Sequence, residues 1–142
     1  MSEKYFATGR CLCENIKFTI ASAPLRMAQC HCNDCRKLSG TGHVSNAFFI
    51  ESDVVISGET NSYDSTTDSG SIVTRHFCPI CGSRLFGMNS ASENIIGISV
   101  GTLDNNSWFK PDVIVFNKRK PSWDFMDESI PVFEEMPPAV QK

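Results

Sequence analysis

Short runs of apolar residues, separated by polar turns, set the character of this chain. "NIKFTI" (Asn15 to Ile20) alternates apolar and polar positions, the period-2 pattern of a half-buried strand. "VSNAFFI" (Val44 to Ile50), "DVVIS" (Asp53 to Ser57), "SIVTRHF" (Ser71 to Phe77), "NIIGISV" (Asn94 to Val100) and "DVIVF" (Asp112 to Phe116) are rich in β-branched and aromatic residues. Gly, Pro, Asn or Asp bound them. No segment sustains a helical period. The best short helix starts at Asn33 as N-cap, runs through "DCRKL" and stops at Gly40. The polar stretch from Ser57 to Ser71 reads as a loop or hairpin end. The pattern predicts an all-β, β-rich domain with its cysteines on turns.

At 142 residues the chain fits one domain able to bury a substantial core without disulfides. We place that domain at 1–136, with a frayed Pro-rich tail over 137–142. The N-terminal "MSEKYFATGR" is charged and lacks an apolar signal core, and no run of about eighteen apolar residues occurs. The expectation is a cytoplasmic chain with no membrane partner. A net charge of −3 and a pI near 5.5 argue against a nucleic-acid partner, since such surfaces are basic. Nothing in the pattern speaks to oligomeric state.

The cysteines change the picture. There are seven, an odd number, and Cys30, Cys32 and Cys35 crowd into "QCHCNDCRKLSG". Cys30 and Cys32 are too closely spaced for a comfortable disulfide, and in a reducing compartment C-x-C and C-x-x-C pairs favour metal ligation or catalysis. "CLC" (Cys11, Cys13) and "CPICG" (Cys78, Cys81, Gly82) each lie just outside an expected strand. Together they supply four thiolates for a closed, structural tetrahedral zinc, with Gly82 free to take positive φ in the turn. Cys30, Cys32 and Cys35 remain, and three donors leave one position of a tetrahedral zinc for a ligand, as catalytic zinc requires. The competing reading closes this shell with His31, His43 or His76 and makes it a second structural site. A thioredoxin-like redox role would need a βαβ pattern, which is absent. Arg36, Lys37 and Arg26 could meet carboxylates of an anionic substrate, or be a solvated face; Ser39 and Gly40 could line the site, or Gly40 simply stop the helix. Trp108, Phe109 and Trp123 read as core or rim packing.

G-x-C-x-C near the N-terminus, C-H-C-x-x-C-R about twenty residues on and C-P-x-C-G before an "LF" strand resemble the glutathione-dependent formaldehyde-activating enzyme family, also called centromere-protein-V-like. "CRKLSG" (Cys35 to Gly40), "RHFCPICGSRLF" (Arg75 to Phe86), "VGTLDN" (Val100 to Asn105) and the Trp123 region extend the likeness from Gly9 to about Phe133. The resemblance implies a β-tent-like fold of small antiparallel sheets, a structural zinc on Cys11, Cys13, Cys78 and Cys81, and a catalytic zinc on Cys30, Cys32 and Cys35. It implies a carbon–sulfur lyase joining glutathione and formaldehyde into S-hydroxymethylglutathione. Arg10 and Glu14 stand where that family often has Gly, so Asn15 is expected to supply the positive-φ turn. Two other readings remain: a non-catalytic zinc-binding interaction module, and a different zinc enzyme on the same scaffold.

Overall fold

The six strands expected from the apolar pattern form, and four more accompany them. The structure, a computed structural model, describes residues 5–137, so the tail expected at 137–142 lies outside the described residues from 138 on. In chain order the strands are β1 (Ala7–Arg10), β2 (Lys17–Ile20), β3 (Arg26–Cys30), β4 (Val44–Ile50), β5 (Val54–Ser57), β6 (Asn61–Thr66), β7 (Ile72–Phe77), β8 (Arg84–Asn89), β9 (Ile95–Ser99) and β10 (Val113–Val115). One α-helix, α1 (Asn33–Ser39), follows β3. The protein is β-rich with small sheets, as the apolar pattern requires. No helix among the described residues is long and apolar enough to cross a membrane.

The chain divides into two compact units. The first comprises the residues up to Leu25 together with Ala47–Phe109. In it β1, β2 and β5 make a three-stranded antiparallel sheet, with Phe18 opposite Gly9 on one side and Ile56 on the other. A second set runs β9-β8-β7-β6, each neighbour antiparallel, with the end of β4 beside β9. Alternation decides the faces: Phe18 and Ile20 of β2, and Ile96 and Ile98 of β9, are buried while their neighbours are not. Phe49 is 1% exposed and anchors this core. Truncating such a residue to Ala costs about 3–5 kcal/mol.

β6 refines the loop or hairpin end expected across Ser57 to Ser71: the hairpin end is confined to residues 67–71, and much of the rest is strand. "NSYDST" lies almost wholly exposed at a sheet edge, so no apolar face advertises it. It is a strand because all its positions, from Asn61 opposite Phe77 to Thr66 opposite Ile72, pair with β7.

The second unit comprises Arg26–Asn46 and the residues from Lys110 on. Its centre is a parallel pair, β3 with β10, in which Cys30 faces Val115. Val113, Ile114 and Val115 are all buried, the continuous apolar run expected of a strand covered on both faces. Trp123, expected to pack in the core or rim, is instead 60% exposed.

Candidate metal centre

In the first unit, four thiols converge from two turns. Cys11 and Cys13 lie in the turn leaving β1, where Glu14 N–H bonds to Cys11 carbonyl and Cys11 N–H to Ile16 carbonyl. The left-handed residue of that turn is Glu14 at φ 68°, not Asn15 as expected. Tertiary closure of the turn, rather than local preference, therefore sets this conformation. Cys78 and Cys81 lie in the turn between β7 and β8, entered through a bulge at His76 and Phe77. Gly82, at φ 81°, takes the positive-φ position anticipated for it and donates its N–H to the Cys78 carbonyl.

The four sulfurs lie within 4.8 Å of one another, and Cys11–Cys13 and Cys13–Cys78 each stand at 3.7 Å. Disulfide sulfurs are about 2.05 Å apart, and none of the seven cysteines is disulfide-bonded. Sulfurs at about 2.3 Å around a tetrahedral zinc stand about 3.8 Å apart, so this donor set fits such an ion. Backbone N–H groups of Ile16 and Ile80 point at the Cys11 and Cys78 sulfurs, at 3.3 and 3.4 Å. Hydrogen bonds from the Ser83 side chain and backbone draw the Cys81 thiol down to about 5, which favours the ionised form a metal needs. Ser83, whose hydroxyl also accepts the Leu12 N–H at 3.0 Å, ties the two turns together and was not anticipated.

The second cluster lies in the other unit. Cys30 ends β3, Cys32 precedes α1, and Cys35 sits in its first turn. The helix N-cap is Cys32, not Asn33: its sulfur accepts the Cys35 N–H at 3.3 Å, the place a Ser or Asn side chain ordinarily takes. Cys30 sulfur in turn accepts the Cys32 N–H at 3.4 Å. The three sulfurs lie within 4.8 Å of one another, and no histidine or carboxylate joins their group among the described residues. Hydrogen bonds from Cys30 and Cys35 hold the Cys32 thiol far below its ordinary value, while the same crowding pushes Cys30 up. One thiolate is thus easy to form and further ones are costly without a cation, the signature of a donor set that suits a metal.

The histidines named as possible fourth ligands have other partners. His76 bonds to the Thr60 hydroxyl at 2.8 Å and stacks on Phe86 in the first unit. His31 is fully buried, with Nδ1 on the Gly42 carbonyl at 2.9 Å, and His43 bonds to Asp124 at 2.7 Å. Asp124 was missed. Its run "DFMDE" reads as acidic surface, and the flanking Trp123 and Phe125 are themselves exposed, so nothing local marks the acid as buried.

The residues expected to meet substrate spread along α1. Arg36 follows Cys35, is half-buried and donates to the Asn33 side chain at 2.7 Å; Lys37 is exposed. Ser39 donates to the Arg36 carbonyl and accepts the Thr41 N–H, and Gly40, at φ 75°, closes the helix through the same carbonyl. Arg26 starts β3, the opposite end from Cys30, about 13 Å along an extended strand.

Fold and site together define a β-rich protein with two thiol clusters able to hold metal. The family model for the glutathione-dependent formaldehyde-activating enzyme matches residues 6–119, and the chain belongs to that family. A comparison with curated proteins gave no match. A crystal structure of a protein from Rhodobacter sphaeroides is similar in fold, with a TM-score of 0.56 at 19% identity over 69% of this chain and 88% of that one.

Proposed function

We propose that this protein is a zinc-dependent carbon–sulfur lyase that joins glutathione to formaldehyde, or to another small aldehyde, at Cys30, Cys32 and Cys35. The observation that carries this reading is a three-sulfur cluster with no fourth protein donor among the described residues, in a chain of the formaldehyde-activating family. Cys11, Cys13, Cys78 and Cys81 would hold the structural zinc. Zinc on the three thiolates would supply a position that keeps the substrate sulfur ionised near neutral pH; three thiolates weaken a Lewis acid, so a soft sulfur suits it better than hydroxide does.

The chain's own residues then orient and hold. Arg36 and Lys37, next along α1 from Cys35, offer cationic groups to the two carboxylates of glutathione, with Ser39 and Gly40 at the end of that helix. In the reaction the glutathione sulfur attacks the aldehyde carbon, the carbon–sulfur bond forms, and the carbonyl electron pair moves to oxygen. The proton released by the thiol ends on that oxygen, so the product is the hydroxymethyl thioether with no oxidant consumed. We further propose a single cooperative domain over 1–136, since the chain passes between the two units three times, once inside β4. The expected setting is the cytoplasm.

Titration calorimetry with glutathione on zinc-loaded protein, paired with exchange NMR on labelled formaldehyde and glutathione, tests the activity. Micromolar binding and enzyme-accelerated exchange are expected. No heat at millimolar thiol and exchange at the spontaneous rate would overturn it.

A further inference from the structure

His31 is the single residue between the ligand candidates Cys30 and Cys32, and it has no contact with solvent. Its backbone N–H is fastened to the Val115 carbonyl of β10 at 3.1 Å. Its Nδ1 sits 2.9 Å from the Gly42 carbonyl, which only accepts, so that nitrogen carries the proton. The Asp124 Oδ2 lies 3.4 Å from the same nitrogen and 2.7 Å from His43 Nδ1. The two imidazole rings meet edge to face at 5.4 Å. Asp124 is buried, and its ion-pair partners among the described residues are these two histidines.

We propose that Asp124 is a positioning residue for the three-cysteine site: by holding His31 and His43 together it fixes the loop that joins Cys30 to Cys32. This inference rests on the reading that Cys30, Cys32 and Cys35 take zinc.

A buried carboxylate is costly unless donors surround it. Here one oxygen takes the His43 N–H at 2.7 Å and stands 3.4 Å from the His31 nitrogen whose proton goes to Gly42, so removing it frees His43 and takes from His31 the anion that backs its ring. The neighbourhood is shaped around that oxygen. A Cβ on Gly42 would stand 2.2 Å from Asp124 Oδ2, so the backbone approaches more closely than any side chain there would allow. Cys30 is placed by pairing with Val115, and Cys32 by capping α1. Between these two fixed points the C-x-C link turns on His31 alone. Without Asp124 the His31 ring is held by the Gly42 carbonyl alone, and the sulfurs of Cys30 and Cys32 are less firmly placed relative to each other, although each backbone anchor survives. Outer residues of this kind typically change metal affinity about 10–100-fold.

The four-thiol cluster lies in the other compact unit and serves as an internal reference. Asp124→Ala and Asp124→Asn, made in the full chain, are titrated with cobalt and followed by thiolate-to-cobalt charge-transfer and ligand-field bands. Asp124→Ala should leave the tighter site intact, weaken the second about 10–100-fold and alter its ligand-field bands. Asp124→Asn, which keeps an accepting oxygen, should fall between the alanine variant and the unmodified chain. Unchanged affinity and spectrum at the second site in both variants overturn the inference, as does a common loss of both metals with unfolding, which would make Asp124 a general fold element. A third equivalent of cobalt in the unmodified chain, lost in Asp124→Asn, overturns it in favour of a His31–His43–Asp124 metal site. If the unmodified chain takes only one metal, the three-cysteine zinc itself fails; two metals with unchanged variants defeats only the role of Asp124.

Discussion

Removing one thiol from each cluster should have unequal consequences. In the four-thiol cluster, Cys13 and Cys78 are 65 positions apart and their sulfurs stand at 3.7 Å, so a metal there closes a long loop of chain. Cys30, Cys32 and Cys35 fall within one strand-to-helix step. A loop roughly tenfold longer costs about 2 kcal/mol more chain entropy to close, and a metal that closes it stabilises the fold correspondingly more. Structural zinc in small peptides contributes about 10 kcal/mol or more, against about 5–15 kcal/mol for the whole stability of a typical domain. Cys78→Ser, at a site with no solvent exposure, should therefore abolish cooperative folding. Cys35→Ser should leave a soluble chain. The Cys30–Val115 pairing and the Gly40 cap still hold the local backbone, so the melting temperature should fall by under about 8 °C. Thermal melts paired with zinc analysis decide between these outcomes. Equal destabilisation by both variants would refute the division into a structural and an open site.

Three other perturbations have defined outcomes. Gly42→Ala places a methyl group 2.2 Å from the Asp124 carboxylate oxygen, and denaturant titration should record a loss of about 1–3 kcal/mol. Burial holds His76 below the ordinary imidazole value of 6.5, with Asp64 opposing. The unfolded chain then takes up its proton at higher pH than the folded one. The contribution of His76 is intact above 6.5 and is lost as pH falls through the folded value. Melting temperature against pH should slope less in His76→Gln, without flattening, because His31 is shifted in the same direction; an unchanged slope would contradict the burial argument. Lys37→Ala removes an exposed cation from α1 and should raise KM for glutathione about two- to fivefold with kcat unchanged, as steady-state kinetics would record.

Local pattern was enough for much of the fold. "VSNAFFI" is β4 residue for residue, because its β-branched and aromatic side chains suit a partly buried pleated surface whatever lies beside it. The division of cysteines was also legible: C-x-C and C-x-x-C steps bring neighbouring sulfurs together through a few backbone dihedrals, while the meeting of the Cys11–Cys13 and Cys78–Cys81 pairs, 65 positions apart, is the work of the fold. β3, "RMAQC", was not legible, since none of its side chains is fully buried and it becomes a strand by pairing on one side with β10, more than eighty positions on, and on the other with β4.

What the sequence determined by itself is therefore whatever spans a few residues: strand runs, the αL stop at Gly40, the turn glycine at 82, the trio of Cys30, Cys32 and Cys35, and the two separate pairs, Cys11 with Cys13 and Cys78 with Cys81. Tertiary structure decided the rest. It made β6 a strand through hydrogen bonds to β7 that its own side chains do not announce, and it put the positive φ on Glu14 rather than on the more tolerant Asn15. It also set Asp124 against His43, 81 positions away. Backbone pairing and buried charge are satisfied by partners distant along the chain, and those partners exist only once the chain has folded.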